Sequence, residues 1–228
     1  MSDSQNLTTL RLLGGELCLD FANGLKAGLG DHRSGYLANY ADLVRWAMHA
    51  GALSEEGAAR LLLEAEGRPR EAAASFERAV SLREMVYRVF SAIARGVNPD
   101  PSDLDLLSTA HVGTLERHHI RETEDGGFGW VRVEGTDDLE EPLWPVVLSA
   151  TSLLTSGPLD RVKACPLEEG GCGWLFRDAS KNKSRRWCAI GDCGTRVNMR
   201  RLYARKRRAG KTDGGREEQS RPEGRAQG

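Results

Sequence analysis

Four cysteines in the C-terminal third of the chain form two closely spaced pairs. Six residues separate Cys165 from Cys172, four separate Cys188 from Cys193, and fifteen lie between the two pairs. This arrangement is typical of a structural zinc site, because four thiolates close a tetrahedron around Zn²⁺ and leave no position open for a substrate. We therefore predict one structural Zn²⁺ ion held by these four ligands.

Two other uses of the cysteines fit the sequence less well. Two disulfides would require an oxidising compartment, and the start of the chain lacks the basic and apolar stretches of a secretory signal. An iron–sulfur cluster also takes thiolate ligands, but the spacing matches no ferredoxin pattern. The fifth cysteine, Cys18, lies among apolar residues in "ELCLDF" and is expected to be a small buried side chain.

Positive charge is concentrated around the same cysteines. Residues 161–211 contain 15 Lys and Arg against 4 Asp and Glu, a balance of +11, whereas the remaining chain carries −12. Arginine binds phosphate through paired hydrogen bonds, so we predict that this segment binds double-stranded DNA with a basic helix in or along the major groove. The candidate DNA contacts are Lys181, Lys183, Arg185, Arg186, Arg196, Arg200, Arg201, Arg205, Arg207 and Arg208.

Other partners for the basic segment stay open at this stage. It could dock on the acidic remainder of its own chain. It could also belong to a zinc-stabilised adaptor that binds protein or RNA without reading DNA. RNA binding would call for exposed aromatic side chains such as Trp174 or Trp187 to stack on bases, and we expect both tryptophans to be buried.

The residues between the cysteine pairs predict a small hairpin. "WLFRD" and "RRWC" are expected to pair as two strands around the polar turn "ASKNKS", with Trp174 and Phe176 on one face. Metal binding would then supply much of the folding free energy of a segment too short to bury a large core.

A helix is expected to follow the second cysteine pair. Thr195 is predicted to be its N-cap, and the helix would continue through "RVNMRRLYARKRR". Leu202, together with Val197 or Tyr203, would pack against the finger. This order of elements is typical of a treble-clef-like zinc finger.

Most of the preceding chain shows helical periodicity. Ser54 is expected to cap one helix, and Pro69 and Gly96 to begin and end the longest one. Ser102 with Asp105 resembles a capping box for a further helix.

One segment departs from the helical pattern. "LERHHIRETEDGGFGWVRVEG" predicts a β-hairpin around an Asp-Gly turn. The fold class is therefore mainly α with a small antiparallel β element (α+β), followed by the finger. We place an α-rich domain at residues 1–157, the finger with its basic helix at 158–208, and a disordered polar tail at 209–228.

Further candidate sites are few. Asp20 and Asn23 lie among apolar residues, where they could line a small-molecule pocket or bond to nearby backbone. His118 and His119 are adjacent in a predicted strand and would point to opposite sides, which disfavours joint chelation. Because no phosphate loop, nucleophile elbow or zinc-protease motif is present, we expect no enzyme activity.

No apolar run is long enough to span a bilayer, and the best candidate, "LWPVVLSATSLL", is too short and carries hydroxyl groups. We therefore expect a cytoplasmic protein without a membrane partner, associated with the nucleoid when it is bound to DNA.

The string "CGWLFRDASKNKSRRWC", the later "CGTR" and the basic run after it resemble the CGNR-type zinc finger. This resemblance implies that Cys165, Cys172, Cys188 and Cys193 are the metal ligands. One signature position differs, since Thr195 stands where the family has Asn.

The region from "GGELCLDFANGL" to "LTSG" resembles the ABATE domain, which precedes this finger in bacterial proteins described as stress-responsive transcriptional regulators. The two resemblances together imply a DNA-binding regulator controlled by a small-molecule effector in its N-terminal domain. A homodimer would suit such a regulator, because operators often contain two half-sites.

Overall fold

The computed structural model describes residues 10–24, 37–123, 125–133 and 138–213. Its N-terminal part consists mainly of helices, as predicted. These are α1 (Leu17–Gly24), α2 (Tyr40–His49), α3 (Glu55–Gly67), α4 (Pro69–Ala94), α5 (Pro101–Leu115) and α6 (Trp144–Ser156). Within the described ranges, no helix combines the length and the apolar character needed to cross a membrane.

Local sequence signals set the ends of several helices. Ser54 accepts a hydrogen bond from the Gly57 amide at 3.1 Å and caps α3, while Pro69 occupies the first turn of α4. Gly96 follows α4 with φ 72°, a left-handed conformation that glycine adopts without strain. These three predictions are confirmed.

The predicted capping box at Ser102 is wrong. Asp100 caps α5 instead, accepting hydrogen bonds from the Ser102 amide at 2.9 Å and the Ser102 hydroxyl at 2.8 Å. Because the carboxylate of Asp100 accepts both bonds, the helix begins at Pro101, before the residue that the sequence pattern favoured.

Strands β1 (His118–Glu122) and β2 (Phe128–Arg132) form the predicted antiparallel hairpin. Gly126 occupies its turn with φ 78°. The inner end of the hairpin packs on α6, since the His118 ring lies edge-on to Trp144 at 5.3 Å. His119 is exposed on the opposite side, so the two histidines point apart as predicted.

The second sheet differs from the prediction. Strand β3 (Val162–Ala164) pairs antiparallel with β4 (Leu175–Arg177), so the partner of "WLFRD" precedes the first cysteine. Residues 184–188, which include the predicted second strand, form no strand.

The physical reason is that other groups occupy both sides of β4. The segment around α1 bonds to the edge of β4 that faces away from β3. There the Arg177 amide donates to the Gly14 carbonyl at 2.7 Å, and Asn23 bonds to Leu175. The segment returning after Asp178 is fixed by that side chain and needs no strand ladder.

Helix α4 lies at the centre of the larger core. Phe90 on α4 is fully buried, and the rings of Phe21 and Trp46 pack beside it with centroids 5.1 Å apart. Val162 of β3 and Leu175 of β4 belong to the same core, so the finger's sheet is packed onto the helical domain. A second, smaller core surrounds the four clustered cysteines.

A π-helical turn (Ile190–Gly194) leads into the last helix, α7 (Thr195–Asp213). The helix continues past its predicted end at Arg208. Residues 214–228, which make up most of the predicted disordered tail, lie outside the described residues.

The buried apolar anchor of α7 lies in its first turn. Val197 is 2% exposed, as expected, but Leu202 and Tyr203 are 45% and 58% exposed. The prediction that Leu202 packs against the finger is therefore wrong, because every described side chain from 198 to 207 is exposed and no neighbouring element covers it.

Candidate metal centre and basic helix

The four predicted metal ligands meet in one place. Their Sγ atoms all lie within 4.8 Å of one another, and all four side chains are buried. The Sγ atom of Cys188 lies 3.3 Å from that of Cys172 and 3.6 Å from that of Cys193, and none of the cysteines forms a disulfide. A tetrahedron with Zn–S bonds of about 2.3 Å has edges of about 3.8 Å, so this donor set fits Zn²⁺.

The first ligand pair lies in a loop that continues the β3–β4 ladder. The Cys165 amide donates to the Trp174 carbonyl at 2.8 Å, and the Gly173 amide donates to the Cys165 carbonyl at 3.0 Å. A Cβ atom on Gly171 would lie 2.5 Å from the Pro166 carbonyl oxygen and 2.8 Å from Cys165 Sγ. Only glycine therefore lets the loop pass so close to the thiol.

The second ligand pair is held by the tight turn before α7. The Gly194 amide donates to the Ala189 carbonyl at 3.1 Å, which brings Cys193 back beside Cys188. Arg196, in the first turn of α7, is half-buried, and its Nη2 atom lies 3.2 Å from Cys193 Sγ. This side chain contacts a predicted metal ligand, and its predicted role as a DNA contact stays a prediction.

The packed thiols compete for ionisation. Hydrogen bonds with Cys165 and Cys172, together with burial, raise the pKa of the Cys188 thiol above its usual value. Hydrogen bonds from Cys172 and Cys188 lower the pKa of Cys165. A bound divalent cation stabilises all four thiolates at once, so the donors are arranged for a metal ion.

Arg185 is a structural residue of the finger. Its guanidinium group lies 4.4 Å from the centroid of the Phe176 ring. It donates to the carbonyls of Leu13 at 3.1 Å, Trp187 at 3.1 Å and Arg177 at 3.3 Å, and also to that of Cys188. Backbone oxygens therefore accept from all three nitrogen atoms of this guanidinium group. These contacts give Arg185 a structural role, and its predicted contact with DNA stays a prediction.

Asp178 is fully buried and organises the turn between β4 and the second ligand pair. Lys163 Nζ lies 2.6 Å from its Oδ2 atom, and the amides of Ser180 and Arg185 donate to it at 2.9 Å. Burial alone would raise the pKa of Asp178, but these hydrogen bonds, chiefly that of Lys163, hold it well below the usual range.

The two predicted lysine contacts lie on this turn. Lys183 has φ 51°, and its ammonium group pairs with Asp160. Lys181 is exposed, and no ion pair joins it to another described residue.

The remaining basic residues fall into two groups, those that form an ion pair with a carboxylate and those that do not. Arg201 pairs with Glu169 at 2.8 Å, and Arg186 pairs with the other oxygen of the same carboxylate. A second group is exposed and has no carboxylate partner among the described residues: Arg200, Arg205, Lys206 and Arg207. The side chain of Arg208 lies outside the described residues.

Thr195 is not the cap of α7. It already has helical φ and ψ, and its hydroxyl donates to the Ile190 carbonyl at 3.0 Å. Carbonyl groups of the preceding π-helical turn, those of Ile190 and Asp192, accept from the Thr195 amide, so the helix continues from this turn and the predicted cap at Thr195 is wrong. Threonine at this position ties α7 to the turn between the cysteines.

Asn23 joins the two domains directly. Its Nδ2 atom donates to the Leu175 carbonyl at 2.8 Å, and its Oδ1 atom accepts from the Leu175 amide at 2.9 Å. The side chain thereby satisfies both backbone groups of Leu175 at the edge of β4. The sequence left two interpretations open for Asn23, a pocket-lining residue or a residue bonded to backbone, and the structure shows the bond to backbone.

Asp20 holds the segment that precedes α1. Its Oδ1 atom accepts from the Gly14 amide at 2.7 Å. Burial raises the pKa of Asp20 to about 6, although hydrogen bonds from the backbone of residues 13–15 and the charge of Arg185 oppose the shift. Cys18, two residues earlier, is fully buried as predicted, and burial raises its pKa to about 12.

Several residues at the junction carried no local sequence signal. The Tyr87 hydroxyl on α4 donates to the Gly173 carbonyl at 3.0 Å, next to the first ligand pair. Arg177 of β4 pairs with Glu16 at 2.6 Å, and Arg11 pairs with Asp192 at 2.9 Å. Each contact joins residues that are more than 80 positions apart, so only the assembled fold brings the partners together.

Comparison with protein families gives two matches. The model of the ABATE domain, described as "Putative stress-induced transcription regulator", matches residues 15–157. The model of the CGNR zinc finger matches residues 161–206. No curated protein matches the chain. The resemblances and their order along the sequence are thereby confirmed.

Proposed function

Because this chain belongs to the ABATE family and ends in a CGNR zinc finger, we propose that it is a transcription regulator that binds double-stranded DNA. One Zn²⁺ ion on Cys165, Cys172, Cys188 and Cys193 would hold the finger. The ion would neutralise the thiolates and fix the two ligand loops, and no substrate would reach it because all four ligands are buried.

The main observation in support of DNA binding is the exposed basic surface of α7. We define the α7 cationic surface as Arg200, Arg205, Lys206 and Arg207, which are exposed and lack carboxylate partners among the described residues. Guanidinium groups left without counter-charge on one helix repel each other, and phosphate oxygens relieve that repulsion through paired hydrogen bonds. These four residues together with Lys181, which is exposed on the turn after Asp178, offer about five phosphate contacts.

The attachment of α7 suits entry into a groove of DNA. Val197 anchors its first turn, and the described side chains beyond it are exposed on every side. The major groove of B-DNA is about 12 Å wide and admits one α-helix. A helix held by its first two turns, through Val197 and the Arg201–Glu169 ion pair, can enter such a groove with its remaining length without displacing other parts of the finger.

The observed contacts favour DNA over docking on the chain's own acidic domain. The acidic partner of Arg201 and Arg186 is Glu169, which belongs to the finger itself. Base stacking on RNA is disfavoured because Trp174 is 8% exposed and Trp187 is half-buried beside Arg186.

A protein-binding adaptor is the second candidate function. Met199, Leu202 and Tyr203 lie at helical spacing on α7 and are 42%, 45% and 58% exposed. Such an apolar stripe on a basic helix also suits an acidic protein groove.

The proposal includes four further elements that remain predictions. The protein would act without catalysis, in the cytoplasm and on the nucleoid. It would respond to a small-molecule effector, and it would bind an operator as a homodimer. Light scattering of the protein with and without duplex DNA measures the dimer directly.

Titration of a short mixed-sequence DNA duplex at several salt concentrations tests the proposal. With about five phosphate contacts, log K should fall against log salt with a slope of about −4 to −5. Replacing Arg207 or Arg200 with alanine should reduce that slope by about 1 for each substitution. Arg70→Ala, which removes an exposed arginine on α4, is the matched control and should leave the slope unchanged. A flat salt dependence would rule out DNA and leave the protein-binding candidate.

A further inference from the structure

A cavity in the helical domain lies apart from the metal centre and from Asp20 and Asn23. It has a volume of about 420 Å³ and opens between α4, α5 and α6. Pockets of about 300–1,000 Å³ are typical of small-molecule sites. The wall consists mainly of buried apolar side chains: Leu82, Met85, Leu143, Trp144 and Val147.

The hydroxyl groups that line the cavity already have partners. Ser81, Thr109 and Thr114 each donate to the carbonyl four residues earlier, at 3.1, 3.0 and 2.9 Å. The wall therefore requires no hydrogen bond from a ligand, and an apolar molecule can fill it without leaving these donors unsatisfied.

Two ion pairs lie at the mouth of the cavity. Arg78 pairs with Glu140, and Arg117 pairs with Asp138 at 2.6 Å. The guanidinium group of Arg117 also lies 5.8 Å from the centroid of the Trp144 ring. Since the charges cancel in pairs, the mouth does not select a charged ligand, and a guanidinium group there can donate to one polar group.

We propose that this cavity binds a small, predominantly apolar molecule that places a ring against Trp144 and one hydrogen-bond acceptor near Arg117. Met85, with its flexible thioether side chain, lets the wall adapt to the ligand's shape. The proposal that the cavity binds a ligand depends only on these contacts, whereas its role as an effector site depends on the proposed function.

Helix α4 provides a physical connection from the cavity to the finger. Met85 lines the cavity, and two residues later Tyr87 donates its hydroxyl to the carbonyl of Gly173, the residue that follows Cys172. A ligand that displaces this turn of α4 changes the contact that supports the metal-binding loop.

Gly113 allows a direct test of the site. It lines the cavity from α5, and a Cβ atom there would meet only Arg117 Nη1, at 3.8 Å. Gly113→Leu fills the space, and Gly113→Ala is the matched control. Both substitutions raise helix propensity, so neither is expected to unfold the domain.

The probe is N-phenyl-1-naphthylamine, an apolar aromatic amine whose fluorescence rises on burial. We expect saturable binding to the wild-type chain and to Gly113→Ala, and binding weaker by about tenfold or more in Gly113→Leu. Equal binding by Gly113→Leu, as would occur on the exposed Phe128 and Trp130 of the hairpin, overturns the proposal. Absence of saturable binding to the wild type also overturns it, and neither result depends on DNA.

Hydrogen exchange measures the connection to the finger. The probe should change the exchange rate of amides in residues 173–177 by about twofold or more in the wild type, and should leave them unchanged in Gly113→Leu. Unchanged rates in a wild-type chain that binds the probe would overturn the effector role.

Discussion

The body of the finger (residues 161–194) and helix α7 both carry arginines, but the arginines of the two regions differ in their burial and in their bonding partners. In the body, Arg185 donates to four backbone carbonyls and stacks on Phe176. On α7, Arg207 is exposed and has no carboxylate partner among the described residues. The body is packed onto the helical domain through Leu175, whereas the one buried apolar side chain among those described on α7 is Val197, in its first turn.

The comparison shows that a count of positive charges does not identify a binding surface. Some cations of residues 161–211 hold the finger together, and others remain free to bind an anion. The position of each residue in the fold decides its role, so substitutions in the two regions should affect different properties.

Removal of a metal ligand should have the largest effect. Cys188→Ser should abolish metal binding and unfold the finger, because structural zinc binding contributes about 10–16 kcal/mol to the folding of small fingers. Metal analysis and circular dichroism of the purified full chain measure both effects. Cys18→Ala removes a cysteine outside the cluster and should retain the metal. A Cys188→Ser protein with full metal content and a folded finger would contradict the assignment.

Loss of Arg185 should have the second-largest effect. Arg185→Ala leaves backbone carbonyls unsatisfied and removes the contact with Phe176, so the free energy of unfolding should fall by about 3 kcal/mol. Arg207→Ala should change it by less than about 0.5 kcal/mol. Urea denaturation of both variants measures the difference, and equal losses would remove the distinction between the two regions.

Substitution of Asn23 tests how much the junction between the finger and the helical domain contributes to stability. Asn23→Ala leaves the amide and carbonyl of Leu175 without their partner, which should lower the free energy of unfolding by about 2 kcal/mol. Asn198→Ala, on the exposed surface of α7, should leave it unchanged. If the two asparagine variants are equally stable, the junction contributes nothing measurable.

The smallest predicted effect is the pH dependence of Asp20. Its pKa of about 6 exceeds the ordinary value of about 3.9, so the folded state binds its proton more tightly than the unfolded state. Acidification from pH 7 to pH 5 should therefore stabilise the wild type relative to Asp20→Asn by about 1.4 kcal/mol. Urea denaturation of both proteins at the two pH values measures this difference, and a constant difference would show that Asp20 has an ordinary pKa.

Short-range patterns predicted much of the fold. Ser54 and Pro69 mark helix starts because a cap or a first-turn proline acts within a few residues. The cysteine pairs were predictable for the same reason, since the spacing within each pair and between the pairs is characteristic of a metal site.

The misassigned strand and the structural role of Arg185 depend on long-range contacts, whereas the errors at Ser102 and Thr195 arise from residues close by in the sequence. The strand that pairs with β4 was misassigned because Gly14 and Asn23, far away in the sequence, occupy its outer edge. Arg185 could not be distinguished from Arg207 by residue type, since burial against Leu13 separates them. Thr195 has a good cap side chain, but the π-helical turn before it removes the need for a cap.

The bonds between Asn23 and Leu175 join residues 152 positions apart. During synthesis, α1 leaves the ribosome long before β4 exists, so its asparagine remains hydrated until the cysteine-rich segment has emerged. If the finger folds around its metal, the helical domain would then complete its packing in step with metallation of the newly made finger. Under the proposed zinc chemistry, a shortage of that metal in the cell would delay maturation of the whole protein, including the helical domain.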